Sequence, residues 1–108
     1  MKKANRVHSH QDFSDIIHQH NSYRGKFATV CWVKKTDNFV RVGVSVGKKN
    51  GGATTRVRIK RQVRAICDQL LKTSDPYDVI VIVKPGYTPE DRNEIFKDIS
   101  EAITKIGE

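Results

Sequence analysis

The chain has 108 residues, 37% of them hydrophobic, enough for one modest core and too little for two. Its formal net charge of +8 favours polyanionic partners, and no apolar run approaches membrane-spanning length, so no membrane association is expected. The excess is localised: residues 1–72 carry 16 Lys and Arg against 4 Asp and Glu, whereas residues 73–108 carry 4 against 8.

The N-terminal MKKANRVHSHQDF is cationic but has no apolar stretch after it, which argues against a secretion signal and for a cytoplasmic protein. Ser9 and Asp12 are spaced like a capping box, and Phe13, Ile16, Ile17 and His20 recur at the interval of one helical face. A first helix is therefore predicted over roughly His10 to His20. Asn21 to Gly25 reads as a connection. The runs KFATVCWVKK and FVRVGVSVGKK, on either side of Thr36-Asp37-Asn38, predict an antiparallel hairpin, with room for an extra strand in that region. In its second strand Val40, Val42, Val44 and Val46 alternate with Arg41, Gly43, Ser45 and Gly47, so one face is apolar and the other small or polar. A floor of small residues admits a closely packed helix or the backbone of a partner.

Gly51 and Gly52 break the chain, and from about Ala53 to Lys72 the residues Ile59, Val63, Ile66, Cys67 and Leu70 fall at helical spacing. SDPYD makes a turn, and YDVIVIVK is a nearly continuous apolar run of strand length, the mark of a central strand covered on both faces. Thr88, Pro89, Glu90 and Asp91 start a last helix, whose stripe is Ile95, Ile99, Ile103 and Ile106 and whose stop is Gly107. The order α-β-β-(β)-α-β-α describes a single α+β domain, a two-layer sandwich of helices on a mainly antiparallel sheet.

The middle of the chain carries the chemistry. No acidic residue lies between Asp37 and Asp68. Within GGATTRVRIKRQVR, Arg56, Arg58, Lys60, Arg61 and Arg64 flank or oppose the apolar stripe, and Lys48 and Lys49 arrive from the preceding strand. A merely solvated helix face mixes signs, because like charges at i, i+4 cost a few tenths of a kcal/mol, roughly. An anionic partner accounts for this pattern. Arginine chelates two phosphate oxygens where lysine cannot, so the anion is read as phosphate. No helix-turn-helix spacing is visible, which favours RNA recognised by its backbone over base readout in DNA.

Other constellations are poor. Cys31 and Cys67 lack metal-ligand spacing and read as small buried hydrophobes. His8, His10, His18 and His20 form two His-x-His pairs, but i, i+2 positions diverge on a helix, so no metal site is expected. No catalytic triad, paired carboxylates or phosphate-binding loop occurs, no catalytic residue is assigned, and no small-molecule substrate is expected. Trp32 near its strand end could contact a nucleotide or pack under the hairpin.

The run VRVGVSVGKKNGGATTRVRIKRQVR resembles the signature of the protein subunit of bacterial ribonuclease P: a strand ending in a Lys pair, a Gly-Ala link, then a basic RNR-x-KR-x-x-R helix. The likeness extends from the basic N-terminus and Asp12-Phe13 to Tyr77-Asp78 and the closing helix. It implies an α+β sandwich with a left-handed βαβ crossover. It also implies a protein inactive alone that binds a catalytic RNA and supports removal of the 5′ leader from precursor tRNA, with Mg²⁺ held by the RNA and not by the protein. By the same resemblance Arg56, Arg58, Lys60, Arg61 and Arg64 face the catalytic RNA, and Lys48 and Lys49, converging on the same rim, are assigned to RNA binding with them. Phe13, Ser45, Lys49 and Ala53 match positions lining the cleft for the leader. Two positions depart from the family pattern: Val57 stands where an Asn is usual and Ala65 where a Glu is common.

The alternative reading is a non-enzymatic RNA-binding protein, such as a ribosomal or RNA-chaperone module, using the same helix without a substrate cleft. A self-sufficient protein nuclease would need carboxylates or a histidine near the basic patch, which the acid-free interval does not supply.

Overall fold

The computed structural model describes residues 5–7, 10–18, 21–72 and 74–106. The expected cap at Ser9, the histidines His8 and His20 and the stop at Gly107 lie outside them. The elements are α1 (His10–Ile17), β1 (Ser22–Arg24), β2 (Ala28–Lys34), β3 (Arg41–Val46), α2 (Ala53–Leu70), β4 (Tyr77–Val83) and α3 (Arg92–Ile106), with 3-10 turns at Lys48–Asn50 and Pro89–Asp91. This is the expected α+β class; the fourth strand, β1, lies not within the hairpin region but before it, in the segment that reads as a connection.

The strands are ordered β1-β2-β4-β3. The hairpin expected between β2 and β3 is therefore not formed: the two strands run antiparallel, but β4 lies between them, antiparallel to β2 and parallel to β3. The reason lies in β4 itself. Its Val79, Val81 and Val83 join one core cluster and Ile80 joins another, so both its faces are buried and both its edges find partners in the interior of the sheet. β3, α2 and β4 form a βαβ unit, with β3 left at the sheet edge.

Asp78, 6% exposed, pins this register. It accepts two hydrogen bonds from Arg41, Nε–Oδ1 at 3.0 Å and Nη2–Oδ2 at 2.7 Å, and pairs with Lys35 Nζ at 2.9 Å. Burial pushes its carboxyl upward, but the hydrogen bonds and charges of Arg41 and Lys35 outweigh that and hold it below the usual aspartate value. Because Lys35 and Arg41 bracket the β2–β3 connection, one carboxylate ties that connection over the start of β4.

The main core lies between the sheet and the α2/α3 layer. Val30, Val42 and Val81 from the strands meet Ile59, Val63 and Ile66 of α2 and Ile95 and Ile99 of α3, all buried. Trp32 packs against this cluster. On the opposite face α1 makes a smaller cover, with Ile16 beside Cys31 and Ile80. The start signal at Thr88 caps the 3-10 turn that leads into α3, with Thr88 and Asp91 exchanging capping hydrogen bonds, and α3 itself begins at Arg92. Its buried Asp98 accepts the backbone N–H groups of Lys26 at 3.0 Å and Phe27 at 2.7 Å, holding the β1–β2 turn against the helix. Both cysteines are free and buried, as expected of small core residues.

Candidate nucleic-acid interface

The basic helix is aimed by the turn that precedes it. Gly51 takes φ +129°, a conformation L side chains rarely adopt, and a Cβ there would lie 3.1 Å from Thr55. The chain can thus turn from the end of β3 into α2 within a few residues. Ile59, Val63, Ile66 and Cys67 anchor α2 in the core and leave its cations outside: Arg58 and Arg61 exposed, Arg56, Lys60 and Arg64 half-buried.

Elsewhere in the described chain some cations have carboxylate partners. Lys26 pairs with Glu94, and Lys35 with Asp37 and Asp78. Arg56, Arg58, Lys60, Arg61, Arg64, Lys48 and Lys49 make no ion pair or side-chain hydrogen bond among the described residues. The Nε atoms of Arg56 and Arg64 are shielded from solvent and lack a partner. Burial, and then the charge of nearby Arg6, lowers the pKa of Arg64. A helix face held so against its own repulsion is arranged to receive external negative charge.

Three depressions border the helix. Phe13, Ser14 and Ile17 of α1 face Val44, Ser45 and Val46 of β3 and Lys60 of α2 across an open groove of about 510 Å³. Phe13 rests on the small-residue face of β3: a Cβ on Gly43 would come within 2.6 Å of Phe13 Cζ. Of the two possibilities for that face, the packed helix is seen at Gly43, while Ser45 lines an open groove. Within reach of the groove His18 Nδ1 lies 2.7 Å from the carbonyl of Ser14. Of the four residues expected to line a leader cleft, the structure brings Phe13 and Ser45 together here. Lys49, exposed in the 3-10 turn, and Ala53, at the start of α2, do not line it. Ala53 lies instead on the outer side of α2, in a shallow depression with Val57, Arg58 and Arg61.

The third depression contains the residue missed in the sequence. Arg6 joins Val57, Lys60, Arg61 and Arg64 around one pocket without a carboxylate. Arg6 is placed there because its neighbours are fixed: Asn5 Nδ2 donates to the carbonyl of Val40 at 2.7 Å, and Val7 N to that of Val42 at 3.0 Å. The signal available was the alternation Asn5-Arg6-Val7, too short to read as a strand.

Comparison with known proteins decides the family. The family model described as Ribonuclease P matches residues 1–107. The chain belongs to the ribonuclease P protein family. The ribonuclease P protein component of Lactobacillus helveticus is 35% identical over 95% of this chain and 87% of its own, and that of Enterococcus faecalis is 33% identical over 95% and 89%. Among solved structures, the ribonuclease P protein of Staphylococcus aureus superposes with a TM-score of 0.79 at 29% identity, covering 98% of this chain and 97% of that one. The positions that depart from the ribonuclease P pattern, Val57 and Ala65, are both exposed, Val57 by 47%. Neither substitution therefore disturbs the core, and Val57 leaves the cationic surface with an apolar centre.

Proposed function

We propose that this chain binds the catalytic RNA of ribonuclease P through the cations of α2 and receives the 5′ leader of precursor tRNA in the groove between α1 and β3, supporting endonucleolytic maturation of tRNA 5′ ends. The observation that carries the reading is the basic face of α2, where Arg56 and Arg64 are partly desolvated and none of the arginines has a carboxylate partner among the described residues. Membership of the ribonuclease P family supports it. Lys48, Lys49, Arg56, Arg58, Lys60, Arg61 and Arg64 neutralise backbone phosphates. Phe13 and Ser45 contact the leader, Phe13 by offering a ring face to a base and Ser45 by leaving room for the sugar-phosphate chain. Lys49 and Ala53 act at the entry to α2, outside the groove. The protein contributes binding and charge neutralisation. The hydrolytic step and the Mg²⁺ that supports it belong to the RNA, and the site of action is the cytoplasm.

The test is 5′-leader removal from precursor tRNA by the catalytic RNA at low Mg²⁺, with and without the protein. Stimulation is expected. No stimulation at a salt concentration where the protein binds the RNA would leave only the non-enzymatic RNA-binding reading.

A further inference from the structure

The cluster around Arg6 is not explained by the helix alone. Arg6 belongs to a segment far from α2 in sequence, yet its charge acts on Arg64, and both lie on one pocket with Lys60 and Arg61. The Nε atoms of Arg6 and of Arg64 are each shielded from solvent without a hydrogen-bond partner. An unsatisfied buried donor is destabilising, more so when charged. Two arginines brought together in this way have nothing in the described protein to gain from the arrangement. Nor is Arg6 there by looseness of its backbone, since Asn5 is 1% exposed, Val7 7% exposed, and both are hydrogen-bonded to the β3 edge. Val57 supplies an apolar wall to the same pocket and offers no polar group to compete for the guanidinium donors.

We propose that Arg6 and Arg64 form a two-arginine clamp for a single phosphodiester of the bound RNA. This rests on the RNA-binding reading above and adds to it a residue outside the basic helix. One phosphate oxygen pair can accept from both guanidinium groups where they line the pocket, relieving their mutual repulsion. The N-terminal segment, α2 and the RNA are joined at one point, and Arg6 contributes because β3 holds its backbone in place.

The experiment measures the affinity of the full chain for the catalytic RNA across a salt series, for Arg6→Gln, Arg64→Gln, their combination, and Arg6→Gln combined with Arg58→Gln. Each single change should lower the log–log salt slope by about one. If one phosphate is shared, the Arg6/Arg64 pair also loses about one, whereas the Arg6/Arg58 pair loses about two. A loss of about two for the Arg6/Arg64 pair, or no change for Arg6→Gln, overturns the clamp. Repeating the series with precursor tRNA added identifies which RNA supplies the phosphate: a loss with the catalytic RNA alone assigns it there, and a loss appearing only with the substrate assigns it to the precursor. Either supports the clamp. Thermal unfolding of the free protein tests a merely structural role, since Arg6→Gln removes a like charge beside Arg64 and should leave the Tm unchanged or raised. A lowered Tm would mean that Arg6 holds the segment down, and would overturn the proposal. If Lys60, Arg58 and Arg61 can also be replaced without changing affinity for either RNA, the RNA-binding reading itself has failed.

Discussion

Gly43→Ala probes the joint between fold and groove. The added Cβ would lie 2.6 Å from Ile80 Cδ1, 2.6 Å from Phe13 Cζ and 3.0 Å from Phe13 Cε1. Non-bonded carbons settle at about 3.5–4.0 Å, so both side chains must retreat by about 1 Å. Ile80 is fully buried and has little room, whereas Phe13 is half-buried at the groove wall and can swing outward. Overpacking of a core costs about 1–3 kcal/mol, and because one of the two side chains can yield, the lower half of that range is expected. For a domain of this size, each kcal/mol lowers the Tm by about 4–8 °C. Thermal unfolding measures the stability term, and a double-mutant cycle with Phe13→Ala isolates its origin: Phe13→Ala should cost less in the Gly43→Ala background than in the parent, because it removes part of the clash. Leader binding, read as the affinity of the protein–RNA complex for precursor tRNA with and without its leader, should weaken in Gly43→Ala. A Tm within about 2 °C of the parent together with additive costs would refute the contact between Phe13 and Gly43, and with it the geometry of the groove.

Asp78→Asn should cost about 2–4 kcal/mol at neutral pH, since it leaves Arg41 and Lys35 without their shared carboxylate. Because the folded carboxyl titrates below its unfolded value of about 3.9, its contribution is fully present above that pH and is lost as pH falls through the depressed value; denaturant unfolding of parent and variant should therefore converge in acid. Gly25→Ala would place a Cβ 2.3 Å from Asp98 Cγ, displacing the acceptor of the Lys26 and Phe27 amides. A loss of about 2–4 kcal/mol is expected, with faster hydrogen exchange at those two amides. Burial, and then the charge of Asp68, pushes the Cys67 thiol up to about 12, and burial also raises Cys31. Thiol reagents at pH 8 should therefore label neither residue until the protein unfolds, and labelling under native conditions at the rate of a free thiol would contradict the packing.

The sequence by itself determined what is periodic or compositional. The apolar stripes of α2 and α3 are local facts, and so is the two-sided apolar character of β4, which correctly marks it as interior. The acid-free interval around α2 is likewise readable without coordinates, because the absence of carboxylates nearby in sequence leaves few intrahelical partners for its arginines. Only the tertiary structure decided who neighbours whom. Alternation in β2 and β3 states which face of each strand is buried and is silent about which strand lies alongside, so a short polar connection reads as a hairpin even though β4, more than thirty residues further on, takes the place between them. The same limit hid Arg6, whose neighbours Asn5 and Val7 are held by Val40 and Val42 at the edge that β3 acquires only once β4 is in place. It also divided the expected cleft: Phe13 and Ser45 meet because α1 covers the face of β3 opposite α2, while Lys49 and Ala53 lie on either side of the turn at Gly51, outside the groove. Side-chain chemistry is written along the chain, whereas the meeting of two side chains depends on long-range strand pairing, to which local patterns contribute only the buried face.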